Sequence, residues 1–268
     1  MSLQTDVLFA EDRKRMIVEI VTQNGKATVA ALCEAFDVSS ATIRSDLREL
    51  EEAGALRRTH GGAINRHNIG DELNTYEKEV QHVEEKRAIA NAALAFIQPG
   101  DAIALDTGTT TFELAKLLAG IDRLTVVTND LQIAAYLERN TSASIIMAGG
   151  MVRRRFLCTV GDSAVDSIRH LHVDKVFVGA NGVHIRNGLT THNMDMAAFK
   201  KQLIEIADEV FVLADSTKLN KSAFISFAAM RQVDMLITDD AADAACVDAI
   251  KQMGQGVLCA KTKENKSK

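Results

Sequence analysis

Proline is nearly absent: Pro99 is the single one in 268 residues. No proline-rich spacer divides the chain, so any boundary must show in hydrophobic periodicity instead. Tryptophan is missing and aromatic residues make up 4%, too few for a single-strand binder that stacks successive bases on rings. No apolar run approaches the roughly 18 residues of a spanning helix, and no basic-then-apolar leader opens the sequence. These absences predict a cytoplasmic protein without membrane contact. The four cysteines, Cys33, Cys158, Cys246 and Cys259, lie far apart, without the paired short spacing of a zinc or redox motif. They read as reduced thiols, mostly in the core. His170, His172, His184 and His192 have neither ligand spacing nor a carboxylate cluster beside them, so neither a metal nor any other cofactor is expected.

Charge of one sign is lacking too. Thirty-one Lys and Arg against 36 Asp and Glu leave a net charge of −5, which excludes a protein that coats nucleic acid by charge alone. A small reader of double-stranded DNA stays open, because a few placed side chains suffice for base readout. What is present is ordinary globular composition, 47% hydrophobic and 25% charged, and enough chain for one or two domains.

Residues from about Glu11 to Gly54 read as three short amphipathic helices. The first carries Met16, Ile17, Ile20 and Val21 on one face and closes at Asn24-Gly25. The second places Val29, Leu32, Cys33 and Phe36 at i, i+3, i+4 and i+7. A tight connection, Asp37-Val38-Ser39, follows, with Ser39 or Ser40 set to cap the third helix, which buries Ile43, Leu47 and Leu50. Two helices joined so closely form a helix-turn-helix. On the opposite face of the third helix lie Ala41, Arg44, Ser45 and Arg48, small residues and long donors suited to a major groove. Leu56 to Gly62 can form a β-wing whose Arg57 and Arg58 reach flanking phosphates. The bland alternative is a solvated face with Arg44 and Arg48 paired to Glu49 or Glu52. Residues 1–66 hold nine basic against ten acidic side chains, so nonspecific affinity is modest and a homo-oligomer (dimer or tetramer) reading paired half-sites is expected.

The run Val38-Ser39-Ser40-Ala41-Thr42-Ile43-Arg44-Ser45-Asp46-Leu47, with Leu56-Arg57-Arg58-Thr59-His60-Gly61-Gly62-Ala63 after it, resembles the DeoR family of bacterial transcriptional regulators. The resemblance spans almost the whole chain. It implies a winged helix-turn-helix followed by a sensor domain for sugar phosphates, with Ser39, Ser40, Ala41, Thr42, Arg44, Ser45, Arg48, Arg57 and Arg58 facing DNA. The chain departs from the family pattern at Ser45, where arginine usually precedes the aspartate, which removes one expected contact.

Six short apolar runs follow: Ala102–Asp106, Leu124–Thr128, Ser144–Ala148, Lys175–Gly179, Glu209–Ala214 and Asp234–Thr238. Each is separated from the next by a helix-capable stretch, so they imply βαβ units and a mostly parallel α/β sheet. The expected division is a head over 1–66, a hinge over 67–80 within the polar stretch after Gly61-Gly62, and an α/β domain over 81–260.

Ligands of such sheets bind at the carboxyl ends of the strands, and those ends here are small and polar. Asp106-Thr107-Gly108-Thr109-Thr110 opens a helix running to about Ala119, and its turned N–H groups and hydroxyls suit an anion. Thr128-Asn129, Gly149-Gly150 and Asn181-Gly182 end three further strands. Asp215 can accept from sugar hydroxyls and Lys218 can meet a phosphate, although a surface turn closed by an Asp–Lys pair has the same spelling. The resemblance assigns Asp215, Lys218, Lys78 and Lys86 to inducer response. This domain is also similar to the fold of ribose-5-phosphate isomerase and glucosamine-6-phosphate deaminase. An alignment to the isomerase places its catalytic glutamate at Lys200, with no carboxylate expected nearby, so the resemblance implies recognition without catalysis. Double-stranded operator DNA and a phosphorylated sugar are the expected partners, and an active sugar-phosphate isomerase with a DNA-binding head is the alternative. Arg153-Arg154-Arg155 reads as a solvated loop from which one arginine can face the pocket mouth, and the helix near 241–253 as packing.

Overall fold

The computed structural model describes residues 10–24, 26–53, 55–59, 61–64 and 72–262. They fall into two compact units, divided between Asp71 and Glu72.

The first unit contains α1 (Ala10–Asn24), β1 (Lys26–Thr28), α2 (Val29–Phe36), α3 (Ser40–Glu52), β2 (Arg57–Thr59) and β3 (Gly62–Ile64). The expected apolar faces close its core, with Ile17, Val21, Leu32, Ile43, Leu47 and Leu56 all buried, except that Met16 is exposed rather than packed. Asp37 ends α2 in the left-handed conformation, and Ser39 caps α3 by accepting from the Thr42 N–H. The wing is larger than its sequence suggests, because β1 pairs antiparallel with β3 and makes a third strand. Gly62 is required there: a Cβ would lie 2.0 Å from the Ala27 carbonyl oxygen.

A second feature was not legible. Arg13 grips Asp46 with both ends of its guanidinium, Nε to Oδ2 at 2.6 Å and Nη2 to Oδ1 at 3.1 Å, and both side chains are buried. Breaking such a pair leaves a charge without its partner. Asp46→Ala is therefore expected to destabilise the head by about 3 kcal/mol, read as a lower denaturant midpoint at unchanged slope. An unchanged midpoint would show that the pair contributes nothing.

The second unit is built on a seven-stranded, wholly parallel sheet. Its strands are β4 (Ala102–Leu105), β5 (Thr125–Thr128), β6 (Ser144–Met147), β9 (Val173–Gly179), β12 (Ala207–Leu213), β14 (Met235–Asp239) and β15 (Gly256–Ala260). They lie in the order β15-β14-β12-β9-β4-β5-β6. Six coincide with the expected runs to within two residues at either end, and β15 is additional. Alternation supplies both faces with apolar side chains. Val176 and Val178 pack on one cluster and Phe177 on the other, where it stacks on Phe211 at 5.0 Å.

Helices α5 (Val83–Leu94), α6 (Thr109–Ala115) and α7 (Leu131–Asn140) supply side chains to the Phe177 side. Helices α8 (Asp162–Ile168), α9 (Met194–Glu205) and α10 (Ala244–Gln252) supply the other. The helix expected to reach Ala119 stops four residues earlier. A hairpin of β7 (Met151–Arg153) and β8 (Cys158–Val160), and an antiparallel sheet of β10 (Gly182–His184), β11 (Gly188–Thr191) and β13 (Ile225–Ala228), were not anticipated. Of the expected hinge, residues 67–71 lie outside the described residues. The remainder contains α4 (Thr75–Glu79), which belongs to the second unit. No helix among the described residues is long and apolar enough to cross a membrane.

Candidate functional site

Strand order decides where a ligand can sit. From β4 the sheet grows one way through β5 and β6 and the other way through β9, β12, β14 and β15. The direction of winding reverses between β4 and β9, and crevices open at such a reversal. Over the carboxyl ends of β4, β9 and β12 lies an open cleft.

Of the sequence-predicted residues, Lys78, Lys86, Thr107, Gly108, Thr109, Thr110, Asn181, Asp215 and Lys218 line this cleft. Each is held there by local structure. The Thr107 hydroxyl donates to Asp130 Oδ2 at 2.6 Å, while Asp130 Oδ1 caps α7 by accepting from the Gln132 and Ile133 N–H groups. Asp215 caps the 3-10 turn Ser216–Lys218, accepting from the Thr217 N–H at 3.0 Å. That leaves Lys218 Nζ 3.8 Å from Asp215 Oδ2, a loose pair. Buried Lys86 donates to the carbonyl oxygens of Lys78 and Gln81, fixing the chain that carries Lys78.

The remaining predicted residues are not brought to the cleft. Asp106 is wholly buried beneath it. Thr128 and Asn129 end β5, one strand further out. Thr128 accepts from the Asp130 N–H, and Asn129 donates to the Thr159 carbonyl oxygen at 2.8 Å. Gly149 and Gly150 follow the edge strand β6, and a Cβ on Gly150 would meet the Val160 oxygen at 2.6 Å. A Cβ on Gly182 would sit 2.6 Å from the Lys221 oxygen. Close packing accounts for Gly150 and Gly182, and hydrogen bonding within the fold for Thr128 and Asn129.

The cleft also contains Glu72, which the sequence did not nominate, and Lys200, singled out only by alignment. Arg153 is the one arginine of the 153–155 run that faces it, while Arg154 and Arg155 are exposed. Arg153 enters from the β7 hairpin, stacked on Phe156 with its guanidinium carbon 3.6 Å from the ring centre. Glu72 bridges two cations, Lys78 Nζ at 2.9 Å and Arg153 Nη1 at 2.9 Å. Lys200 reaches up from α9, and the expectation of no carboxylate beside it is corrected: it pairs with Asp106 Oδ2 and donates to the Gly179 carbonyl oxygen at 3.0 Å.

Five cations thus share the cleft with few anions, and the electrostatics follow. Burial lowers the Lys78 ammonium from its ordinary value against the pull of Glu72, and Lys200 and Lys218 push the same way as burial. Burial also lowers Lys86. Burial would raise Glu72, but Lys78 and Arg153 outweigh it and hold its carboxyl below the ordinary range. Asp106 is raised by burial, against Lys200. Such a site is short of negative charge. No group of three potential metal ligands occurs among the described residues.

In the first unit, Ala41, Arg44 and Arg48 are exposed on α3 and Ser45 is half-buried. The solvated-face alternative required Arg44 or Arg48 to pair with Glu49 or Glu52. Instead Glu49 pairs with Lys14 from α1 at 2.7 Å, and Arg48 donates to the Ser45 hydroxyl at 3.4 Å; among the described residues neither Arg44 nor Arg48 forms an ion pair. Ser39 and Thr42 share a hydroxyl contact of 2.9 Å at the helix start, where Ser40 is exposed. Arg58 is exposed on the wing strand β2, whereas the Arg57 side chain lies outside the described residues.

A winged helix-turn-helix with an exposed basic face, carried on the same chain as a parallel-sheet unit with a cation-lined cleft at its switch point, defines a DNA-binding regulator with a sensor domain. The family model for the DeoR-like helix-turn-helix domain matches residues 13–68, and that for the DeoR C terminal sensor domain matches residues 81–240. The HTH-type transcriptional regulator GlpR of Haloferax volcanii is 37% identical over 92% of this chain and 96% of its own. The putative aga operon transcriptional repressor of Escherichia coli is 32% identical over 92% and 93%. A solved D-ribose-5-phosphate isomerase covers 55% of this chain and 55% of its own at 22% identity and a TM-score of 0.38. The chain belongs to the DeoR family and is a DNA-binding transcriptional regulator.

Proposed function

We propose that this regulator represses a sugar-metabolism operon and releases its operator when a phosphorylated sugar enters the cleft. The observation that carries the reading is the set of five basic side chains, Lys78, Lys86, Arg153, Lys200 and Lys218, facing the threonine turn Thr107–Thr110. Cations paired with too few carboxylates favour a dianion, and Asp215 with Asn181 supplies polar partners for hydroxyl groups. The name of the aga operon relative supports repression.

On the DNA side, Arg44 and Arg48 reach base edges or phosphates, with Ser39, Ser40, Ala41, Thr42 and Ser45 at close approach and Arg57 and Arg58 on the backbone. A head with more acidic than basic residues needs a second copy to hold a duplex, so the working form is a homo-oligomer. The bound sugar leaves unchanged. The carboxylate nearest Lys200 is Asp106, fully buried and paired, and it lies out of reach as a general base.

A thermal-shift screen of phosphorylated sugars tests this. A ligand that binds only the native state raises its midpoint with concentration. One sugar phosphate is expected to do so, to release the protein from its own upstream DNA, and to be recovered chemically intact. Failure of every phosphorylated sugar, or turnover of the one that binds, would contradict the reading.

A further inference from the structure

We infer that the phosphoryl group of the effector binds where the Glu72 carboxylate now lies, between Lys78, Arg153 and Asn181, and that Glu72 is an internal anion which the ligand must displace. The inference rests on the function proposed above and specifies its anion subsite and its coupling.

Glu72 is placed as a ligand would be. Its two carboxylate oxygens are divided between two cations, Oε1 to Lys78 and Oε2 to Arg153, each at 2.9 Å, and Asn181 Nδ2 stands 3.5 Å from Oε1. Its side chain is 10% exposed. The receiving groups come from three elements remote in sequence: α4, the β7 strand and the loop after β9. Each is anchored without help from Glu72. Lys86 holds the Lys78 carbonyl, Arg153 lies on Phe156, and Asn181 accepts from the Thr191 hydroxyl at 2.9 Å. The receptor would therefore persist with Glu72 gone, which is what a displaceable plug requires.

Two consequences follow. A monoanion offers the pair of cations no more charge than Glu72 already does, and Glu72 has the advantage of being tethered. A phosphoryl dianion carries extra charge and a third oxygen, so it competes where a carboxylate does not. Further, Glu72 is the first residue of the sensor unit, directly after the segment that leads from the DNA-binding head. Displacing it frees the chain at that entry point, which gives the ligand a lever on the head. Ligand affinity is reduced by the fraction of molecules in which the plug is out.

The test uses the full-length protein, with inorganic phosphate and then glucose 6-phosphate as probes, followed by calorimetry. Glu72→Gln, which keeps shape and loses charge, is expected to bind phosphate about tenfold more tightly than wild type. It should also hold operator DNA more weakly before any ligand is added. Glu72→Asp, too short to span both cations, should fall between the two. If wild type binds either probe and both variants bind it no better, the plug is refuted while the effector reading stands. If only Glu72→Gln binds, the plug is supported. If no form binds either probe, the anion subsite at Glu72 is refuted, while the effector reading is decided by the full panel of phosphorylated sugars.

Discussion

Lys218→Ala is expected to bind operator DNA with wild-type affinity and to require about 100-fold more effector for release. The magnitude follows from the environment of its ammonium. It is half-buried at the cleft and sits 3.8 Å from Asp215 Oδ2 and 3.3 Å from the Thr217 hydroxyl, so its charge is only partly neutralised within the protein. A hydrogen bond to a charged group contributes about 1.5–3 kcal/mol, and the upper part of that range is a factor near 100. Because Lys218 belongs to the sensor unit, its loss leaves the DNA-contacting side chains in place. Fluorescence anisotropy of a labelled operator, titrated with effector, reads both quantities. Normal release by the variant would remove Lys218 from the site.

The second large effect lies in the head. Arg44→Ala and Arg48→Ala are each expected to weaken operator binding 10- to 100-fold, the cost of about 1–3 kcal/mol for a side chain that reads a base. The salt dependence tells the roles apart. A side chain that contacts only phosphate lowers the slope of log affinity against log salt by about one and weakens all sequences alike, whereas one that reads a base relaxes specificity at its own position. Neither substitution should affect folding, since both side chains are exposed and form no ion pair among the described residues. Unaltered operator affinity in both variants would mean that this face of α3 does not meet DNA.

Much of this was legible because it is local. The apolar positions of α2 and α3, the Ser39 cap and the short turn between them are set within a few residues of each other, and helical periodicity reports them directly. The strand runs of the sensor showed as β-branched segments for the same reason. Strand order did not. Nothing in Thr128-Asn129 or Gly149-Gly150 tells whether β5 and β6 lie at the centre of the sheet or beside its edge, and the crossovers put them outside the cleft. These residues looked like site residues because small and polar types also serve tight packing, as Gly150 does against Val160.

Contacts between residues far apart in sequence were likewise invisible. Arg153 and Glu72 are 81 residues apart, Lys200 and Asp106 are 94 apart, and Arg13 and Asp46 are 33 apart. Each is an opposite-charge pair, but charge pairing alone does not select a partner among 31 basic and 36 acidic side chains. Lys200 shows the limit most clearly. The sequence suggested a lysine with no carboxylate beside it, and only the fold revealed that buried Asp106 balances it.

The most direct test of the whole account is an anisotropy titration of the protein on a duplex from its own upstream region, with and without each of a panel of phosphorylated sugars and their unphosphorylated parents. The account predicts that the duplex is bound, that one phosphorylated sugar lowers the affinity at least tenfold, and that its parent sugar has no effect. Binding that no phosphorylated sugar alters, or release by the parent sugar alone, would contradict it.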